Sequence, residues 1–150
     1  MHTNHLTRQS LTDKEYLTLL GICQWVFNSN CHFIIEMIDR EHHAQSDESW
    51  FDFLQLTAGQ LVGHKNLVES ILGTEIHCLF ENLKNCRNTI IHSFPTGEKV
   101  EEYYVAMYRK DAASRYITID KNYLRAFIRD NEKLHTLIYA KRNSIGTPQT

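Results

Sequence analysis

Residues 83–95 read LKNCRNTIIHSFP, a stretch in which polar residues interrupt an apolar helical pattern. Around it, apolar side chains recur at spacings of three and four, at Ile76, Leu79, Phe80, Leu83, Ile90, Ile91 and Phe94. This periodicity predicts an amphipathic helix over about residues 75–94. Pro95 is predicted to end the helix, because a proline displaces the residue before it from the α region.

Arg87, Asn88 and His92 are the polar residues of this stretch that could carry chemistry. Asn88 and His92 are four residues apart and therefore share one face of a helix. Arg87 lies about 140° around an ideal helix from His92, so only its long side chain could bring the guanidinium towards the imidazole. A permanently charged fork beside a group that titrates near neutrality suits phosphate chemistry. The spacing alone favours the plainer interpretation, in which these are exposed polar side chains with no such role.

The first helix of the chain is predicted to be long. Thr12 and Glu15 form a capping-box signature at its start. Its apolar pattern keeps one phase across residues 28–30 and runs to about residue 43. One long helix and two helices joined by a kink both fit this pattern, and one long helix, straight or bent, is favoured.

A second helix is predicted between residue 46 and Gly73. Ser46 is its N-cap candidate, and Gly59 and Gly63 weaken its middle, where the helix could break. Gly73 and Thr74 predict a tight corner, in which the glycine closes this helix and Thr74 caps the helix that carries Arg87.

The sequence changes character after Pro95. Residues 100–109 (VEEYYVAMYR) and 115–119 (RYITI) are rich in β-branched and aromatic residues. This composition predicts a short β-hairpin, and a helix over residues 101–109 is the alternative.

Asp120 is predicted to cap a last helix that closes near Gly146. Together the segments predict a mainly α fold, an up-and-down bundle of four to five helices with a short β-hairpin before the last helix. The 150 residues are predicted to form one domain, with flexible tails at residues 1–10 and 147–150.

The composition is ordinary for a globular protein, and the formal net charge of −2 disfavours a protein that coats nucleic acid by bulk attraction. No apolar run approaches the ~20 residues needed to cross a bilayer, and residues 1–10 lack the apolar segment of a signal peptide. We therefore expect a cytoplasmic protein with no membrane contact. The four cysteines lack CxxC spacing and are expected to be buried thiols. The pairs Cys31–His32 and His42–His43 have no second pair at zinc-ligand spacing, so no metal site and no other cofactor is predicted.

The run Arg87-Asn88-Thr89-Ile90-Ile91-His92, on the third helical segment of a small bundle, resembles the HEPN domain superfamily (higher eukaryotes and prokaryotes nucleotide-binding). The signature of that family is an Arg, four to six further residues and a His, frequently with an Asn directly after the Arg. This chain matches with four intervening residues and with Asn88. The aliphatic residues before His92 and the aromatic residue near the break are also typical of the family.

The resemblance implies a metal-independent endoribonuclease whose site is completed across a homodimer. Such enzymes commonly act as toxins or antiphage effectors, and some of them have a nucleotidyltransferase antitoxin as partner. In some of that subset the motif extends to a tyrosine two residues after the His; here that position is Phe94, which has no hydroxyl to modify. Other members have lost catalysis and serve as dimerisation, nucleotide-binding or partner-binding modules, which is the alternative function.

In this interpretation Arg87, Asn88 and His92 are the catalytic residues. His92 acts as general base or acid, because imidazole titrates near working pH. Arg87 holds the scissile phosphate and offsets the charge that builds up in the transition state. Asn88 orients the imidazole or donates to a phosphate oxygen. One motif supplies only one imidazole while cleavage needs an acid and a base, so a two-fold dimer is physically motivated.

Tyr104, Arg109 and Lys110 are candidate RNA-binding residues, because aromatic rings and cations together can stack on and hold a single strand. Strand packing or a dimer contact explains the same residues equally well. Cys86 beside Arg87 could be an activated thiol, although a structural cysteine is favoured.

Overall fold

The protein is described by a computed structural model over residues 6–42, 59–60 and 65–145. In this part of the chain the fold is mainly helical, with a small antiparallel sheet before the last helix. The elements in chain order are α1 (Lys14–His42), α2 (Lys65–Leu72), α3 (Thr74–Ile91), β1 (Phe94–Val100), β2 (Tyr103–Arg109), β3 (Tyr116–Ile119) and α4 (Lys121–Ile145).

The first helix is continuous, as predicted, and passes through residues 28–30 without a break. Its predicted capping box is wrong. Asp13 caps the helix instead, because its Oδ2 accepts a hydrogen bond from the Tyr16 N–H at 3.0 Å. The Thr12 hydroxyl donates to the carbonyl oxygen of Tyr104 at 2.7 Å, and Glu15 binds Lys121 and Arg125 of α4.

The corner between α2 and α3 is confirmed, but Thr74 is the first residue of α3 and not its cap. Gly73 occupies the N-cap position with φ 91° and ψ 162°, a conformation that is essentially restricted to glycine. The predicted helix start at Ser46 and Gly63 lie outside the described residues. So do the predicted tail at residues 147–150 and the first half, residues 1–5, of the predicted tail at residues 1–10.

The motif helix ends at Ile91, three residues before the predicted end at Phe94. Ser93 stops it: its N–H and its hydroxyl both donate to the Ile90 carbonyl oxygen, at 3.2 and 2.6 Å. Pro95 therefore lies in β1 rather than at the end of the helix.

The predicted hairpin is confirmed as β2 and β3, which pair from Ala106–Ile119 to Arg109–Tyr116, and the alternative helix over residues 101–109 is wrong. The sheet has one strand more than the sequence predicted. β1 pairs with the other side of β2, so the strand order is β1-β2-β3.

The first and last helices run parallel. Their contacts advance in step along both chains, from Cys23–Leu124 through Asn30–Asn131 to Phe33–His135. α3 runs the opposite way, because its last turns contact Tyr123 in the first turn of α4. The sheet consequently lies at the end of the bundle where α1 and α4 begin and α3 ends.

One buried aromatic cluster joins the three long helices. The ring of Phe27 in α1 lies 6.0 Å from that of Phe80 in α3 and 6.1 Å from that of Phe127 in α4. Over the described residues, none of the helices combines the length and the apolar character needed to cross a membrane.

Candidate functional site

Arg87 lies in the second-last turn of α3 and faces α1. Its guanidinium carbon is 5.7 Å from the centre of the Phe27 ring, and the residue is half-buried. The orientation follows from the sequence, since Arg87 continues the buried stripe of Phe80 and Leu83 at spacings of three and four. The aliphatic stem can cover apolar surface while the charged end reaches the boundary of the core.

Only some of the hydrogen-bond donors of the Arg87 guanidinium have an acceptor among the described residues. Nη1 donates to the Asn88 Oδ1 at 3.1 Å. Nε is buried, and no hydrogen-bond acceptor for it lies among the described residues. An anion with two acceptor oxygens, such as a carboxylate or a phosphate, is the natural partner of such a fork.

Asn88 contacts Arg87 through its side chain and His92 through its backbone. Its Oδ1 accepts from Arg87, so the amide oxygen is directed at the guanidinium. Its carbonyl oxygen accepts the His92 backbone N–H at 3.0 Å. The side chain of Asn88 therefore contacts Arg87, whereas its contact with His92 is through the backbone and not through the imidazole.

His92 is the C-cap of α3 and has an exposed side chain, with φ −89° and ψ 4°. Two large apolar side chains flank it and are also exposed, Ile91 at 45% and Phe94 at 44%. A solvent-exposed imidazole between two exposed apolar groups is unlike a histidine that fills a core, and it is accessible to a ligand or to a second chain.

Two titratable side chains near this end of α3, those of Cys31 and Tyr123, are poor proton donors at neutral pH. Burial raises the pKa of the Cys31 thiol to about 12, against the opposing effect of Arg87. Burial, assisted by the neighbouring Cys86, raises the pKa of the Tyr123 hydroxyl to about 12. Cys86 is half-buried against this phenol, which fits a structural cysteine. The exposed His92 carries the type of side chain that most often transfers protons in proteins.

The three predicted RNA-binding residues do not lie together. Arg109 and Lys110 are at the same end of the sheet as His92, because Phe94 pairs with Met107. Tyr104 pairs with Lys99 near the other end of the β1–β2 hairpin, and the ammonium of Lys99 is 4.8 Å from the centre of its ring.

Arg109 is engaged in the turn between β2 and β3. Its Nε donates to the carbonyl oxygen of Asp111 at 3.1 Å, and its Nη2 donates to that of Ala112 at 3.3 Å. This residue holds the turn, whereas Lys110 beside it is exposed.

Sequence reasoning missed two concave surfaces, because their linings come from distant segments. One, of about 440 Å³, lies on the sheet over Val100, Val105 and Met107. The other, of about 180 Å³, lies between α1 and α4 beside Trp25, whose side chain is 79% exposed. For the second surface, the sequence signal was Trp25, a large aromatic residue among polar residues on one side of α1.

No group of three His, Cys, Asp or Glu side chains that could hold a metal ion occurs within residues 6–42, 59–60 and 65–145. The pair Cys31–His32 lies in this part of the chain. The side chains of the pair His42–His43 lie outside it.

Comparison with known proteins identifies no relative of this chain. Protein-family models, curated proteins and solved structures all give no match.

Proposed function

We propose that this protein is a metal-independent endoribonuclease of the HEPN type, in which Arg87, Asn88 and His92 act on the scissile phosphate of RNA. One observation carries the proposal: an exposed imidazole closes the same helix end that holds a half-buried and only partly bonded guanidinium. These are the two kinds of group that phosphodiester cleavage by an attacking 2′-hydroxyl requires.

The reaction is assigned to these groups as follows. The imidazole of His92 accepts the proton of the 2′-hydroxyl, and the 2′-oxygen then forms a bond to phosphorus. Arg87 donates to the non-bridging oxygens, whose negative charge grows in the transition state. The bond to the 5′-oxygen breaks, and a second acid protonates that oxygen. The products are a 2′,3′-cyclic phosphate and a 5′-hydroxyl end.

The second acid is assigned to His92 of another copy of the chain. Cys31 and Tyr123, the nearby groups in the same chain, have pKa values of about 12 and would donate a proton poorly at neutral pH. A two-fold axis beside the end of α3 would bring two imidazoles and two guanidinium groups together. The exposed side chains of Ile91 and Phe94 supply apolar contact area for that interface.

The proposal is tested by cleavage of a fluorogenic RNA in EDTA by the wild type, Arg87→Ala and His92→Ala. His32→Ala, which removes an exposed histidine of α1, is the matched control. We expect the wild type and the control to cleave, and both motif variants to lose activity. Equal cleavage by all four proteins would reveal a contaminating nuclease. Absence of cleavage in the wild type on a panel of cellular RNAs would refute the proposal.

The biological role proposed with this activity is that of a toxin or antiphage effector in the cytoplasm, held in check by an antitoxin protein. Expression of the wild type should then slow the growth of its host, and His92→Ala should relieve the effect at equal protein level. Equal growth of the two strains would contradict the toxin role while leaving the cleavage assay unaffected.

A catalytically silent HEPN module that dimerises or binds a nucleotide or partner is the second candidate. One observation favours it: Arg87 already packs on Phe27 and bonds to Asn88 within the chain. A silent module would bind a nucleotide or a partner through Arg87 without cleaving RNA. A wild-type protein that binds but does not cleave, with binding lost in Arg87→Ala, would therefore favour the silent module over the ribonuclease.

A further inference from the structure

The small sheet has two outer edges, and they differ in how well they are protected from pairing with a strand of another chain. β1 contains Pro95 and Lys99, with a shift of register between them. Prolines, lysines and bulges are the features by which natural edge strands avoid pairing with other chains. β3 reads YITI and has none of these features, and its residues all favour β structure. β3 is therefore the edge that is suited to receive another strand.

The hydrogen bonds determine which backbone groups of β3 face outward. The N–H of Lys110 donates to the carbonyl oxygen of Arg115 at 2.7 Å. At the other end, the Tyr16 hydroxyl bridges a strand pair, accepting from the Ala106 N–H at 3.0 Å and donating to the Ile119 carbonyl oxygen at 2.6 Å. Residues 115, 117 and 119 therefore direct their backbone groups towards β2, because hydrogen-bonded pairs alternate in an antiparallel ladder.

It follows that the N–H and C=O groups of Tyr116 and Thr118 point away from β2. Among the residues that the structure describes, none forms a hydrogen bond to these four groups. The side chain of Tyr116 is also 44% exposed at this edge. The edge thus presents two hydrogen-bonding residues separated by Ile117.

This arrangement is complementary to itself. In an antiparallel pair of β3 strands related by a two-fold axis through Ile117, Tyr116 of each copy lies opposite Thr118 of the other. All four outward groups of each copy are then paired, which gives four hydrogen bonds. A slip by two residues would leave outward groups unpaired, so the self-pairing has one preferred register.

The charges at the two ends of β3 agree with the same register. The turn over residues 109–115 has three basic residues and one acidic residue, Asp111, which pairs with Arg115. Asp120 follows the strand, and the next residue, Lys121, is paired with Asp13 and Glu15. Antiparallel pairing places Ser114 of one copy opposite Asp120 of the other. The basic turn of each copy therefore lies beside an aspartate of its partner, which favours this orientation.

We propose that β3 pairs with β3 of a second copy of this chain, so that the two sheets form one continuous six-stranded sheet. This contact extends backbone pairing across a two-fold axis, as in other strand-addition interfaces. It is distinct from the contact proposed around His92, because β1, which follows His92, and β3 are on opposite edges of the sheet. A chain that uses both contacts assembles beyond a dimer.

The direct test is amide hydrogen exchange of the wild-type protein, measured by NMR at a high and a low protein concentration. The amides of Tyr116 and Thr118 should exchange slowly at the high concentration and faster on dilution. The matched control is the amide of Lys99, which also points outward because Lys99 lies opposite Tyr104, whose backbone groups are directed away from β1. It should exchange rapidly at both concentrations.

Two results of this measurement would overturn the proposal. Rapid exchange of Tyr116 and Thr118 at both concentrations would show an unpaired edge. Slow exchange that does not change on dilution would show that the same chain covers the edge.

A pair of proline variants supplies an independent measurement. Thr118→Pro removes an outward N–H and leaves the hydrogen bonds between β2 and β3 in place, whereas Lys99→Pro makes the same change on the β1 edge. In light scattering after size exclusion, Thr118→Pro should lose the β3-paired species and Lys99→Pro should retain it. Circular dichroism shows whether both variants are folded. Assembly of folded Thr118→Pro like the wild type would contradict the proposal.

Discussion

Two polar clusters lie at the same end of the helical bundle and use their side chains differently. The first, the start cluster, consists of Asp13, Glu15, Tyr16, Lys121 and Arg125, where α1 and α4 begin. The second, the motif cluster, consists of Arg87, Asn88 and His92, where α3 ends.

In the start cluster the side chains are bonded within the chain. The ammonium of Lys121 lies 2.9 Å from the Asp13 carboxylate and 2.8 Å from that of Glu15, and Arg125 also pairs with Glu15. The Tyr16 hydroxyl both donates and accepts a hydrogen bond. Such a cluster can stabilise the junction of helices and sheet, but it leaves little for a ligand.

In the motif cluster the bonding is incomplete. Arg87 keeps a buried Nε–H without an acceptor among the described residues, and the imidazole of His92 is exposed. A buried donor without an acceptor costs free energy, which folding alone would not favour. The difference fits a stabilising role for the start cluster and the binding or catalytic role that we propose for the motif cluster.

The largest expected effect separates activity from stability at His92. We expect His92→Ala to lower the cleavage rate roughly 10²- to 10⁴-fold, the usual contribution of an acid–base group. The melting temperature should stay within error of the wild type, because the side chain is exposed. Rates from a single-turnover cleavage assay and melting curves by circular dichroism check both parts, with His32→Ala as the control.

A large loss of stability in His92→Ala would contradict the comparison. It would show that the imidazole has a structural partner and that the motif cluster resembles the start cluster.

The next-largest effect is expected at Tyr16, where a substitution should lower stability and leave activity unchanged. Tyr16→Phe removes the hydroxyl that bridges Ala106 and Ile119 and leaves two backbone groups of the sheet without that partner. We expect the free energy of unfolding to fall by about 1–3 kcal/mol, while cleavage per folded molecule is unchanged. Urea unfolding measures the change. Tyr104→Phe, at a half-exposed tyrosine of the same sheet, is the control and should be close to neutral.

Equal stability of Tyr16→Phe and Tyr104→Phe would contradict the assigned role of the bridge. A loss of cleavage without a loss of stability would place Tyr16 in the functional site.

The parts of the fold that the sequence predicted depend on local signals. The long α1 follows from an uninterrupted apolar period, and Asp120 caps α4 as predicted, accepting from the Tyr123 N–H at 2.7 Å. The β2–β3 hairpin follows from its β-branched and aromatic residues. Each signal lies within the element that it predicts.

The parts that were missed depend on contacts between distant segments. The predicted cap residue, Thr12, instead donates a hydrogen bond to Tyr104, 92 residues away, and the adjacent Asp13 caps α1. β1 contains Pro95 and Gly97 and forms because β2 offers it a pairing edge. At the candidate site, the resemblance of the motif predicted Arg87 and His92, and this stays a prediction. The burial of Arg87 against Phe27 of another helix could not be predicted from the motif.

The smallest expected effect is the pH dependence of the start cluster. Hydrogen bonds from Lys121 hold the pKa values of Asp13 and Glu15 below their usual 3.8 and 4.5, with further help from the Tyr16 N–H and from Arg125 respectively. The same bonds to Glu15 and Asp13 raise the pKa of Lys121 above 10.5. Lowered carboxyl pKa values stabilise the fold above the unfolded pKa, and this contribution is lost as pH falls through the folded values. A raised lysine pKa contributes below its unfolded value and is lost as pH rises through the folded one.

The difference in melting temperature between the wild type and Lys121→Met should therefore be greatest between roughly pH 5 and pH 10 and should shrink towards both extremes. It should also shrink in high salt, because the carboxylates are exposed and screened. Lys133→Met, at an exposed position of the same helix, is the control and should show a smaller and flatter difference. A difference for Lys121→Met that is independent of pH and salt would mean that the Lys121 side chain stabilises the fold without its ion pairs to Asp13 and Glu15. The stabilising role of the start cluster would then not depend on its ion pairs.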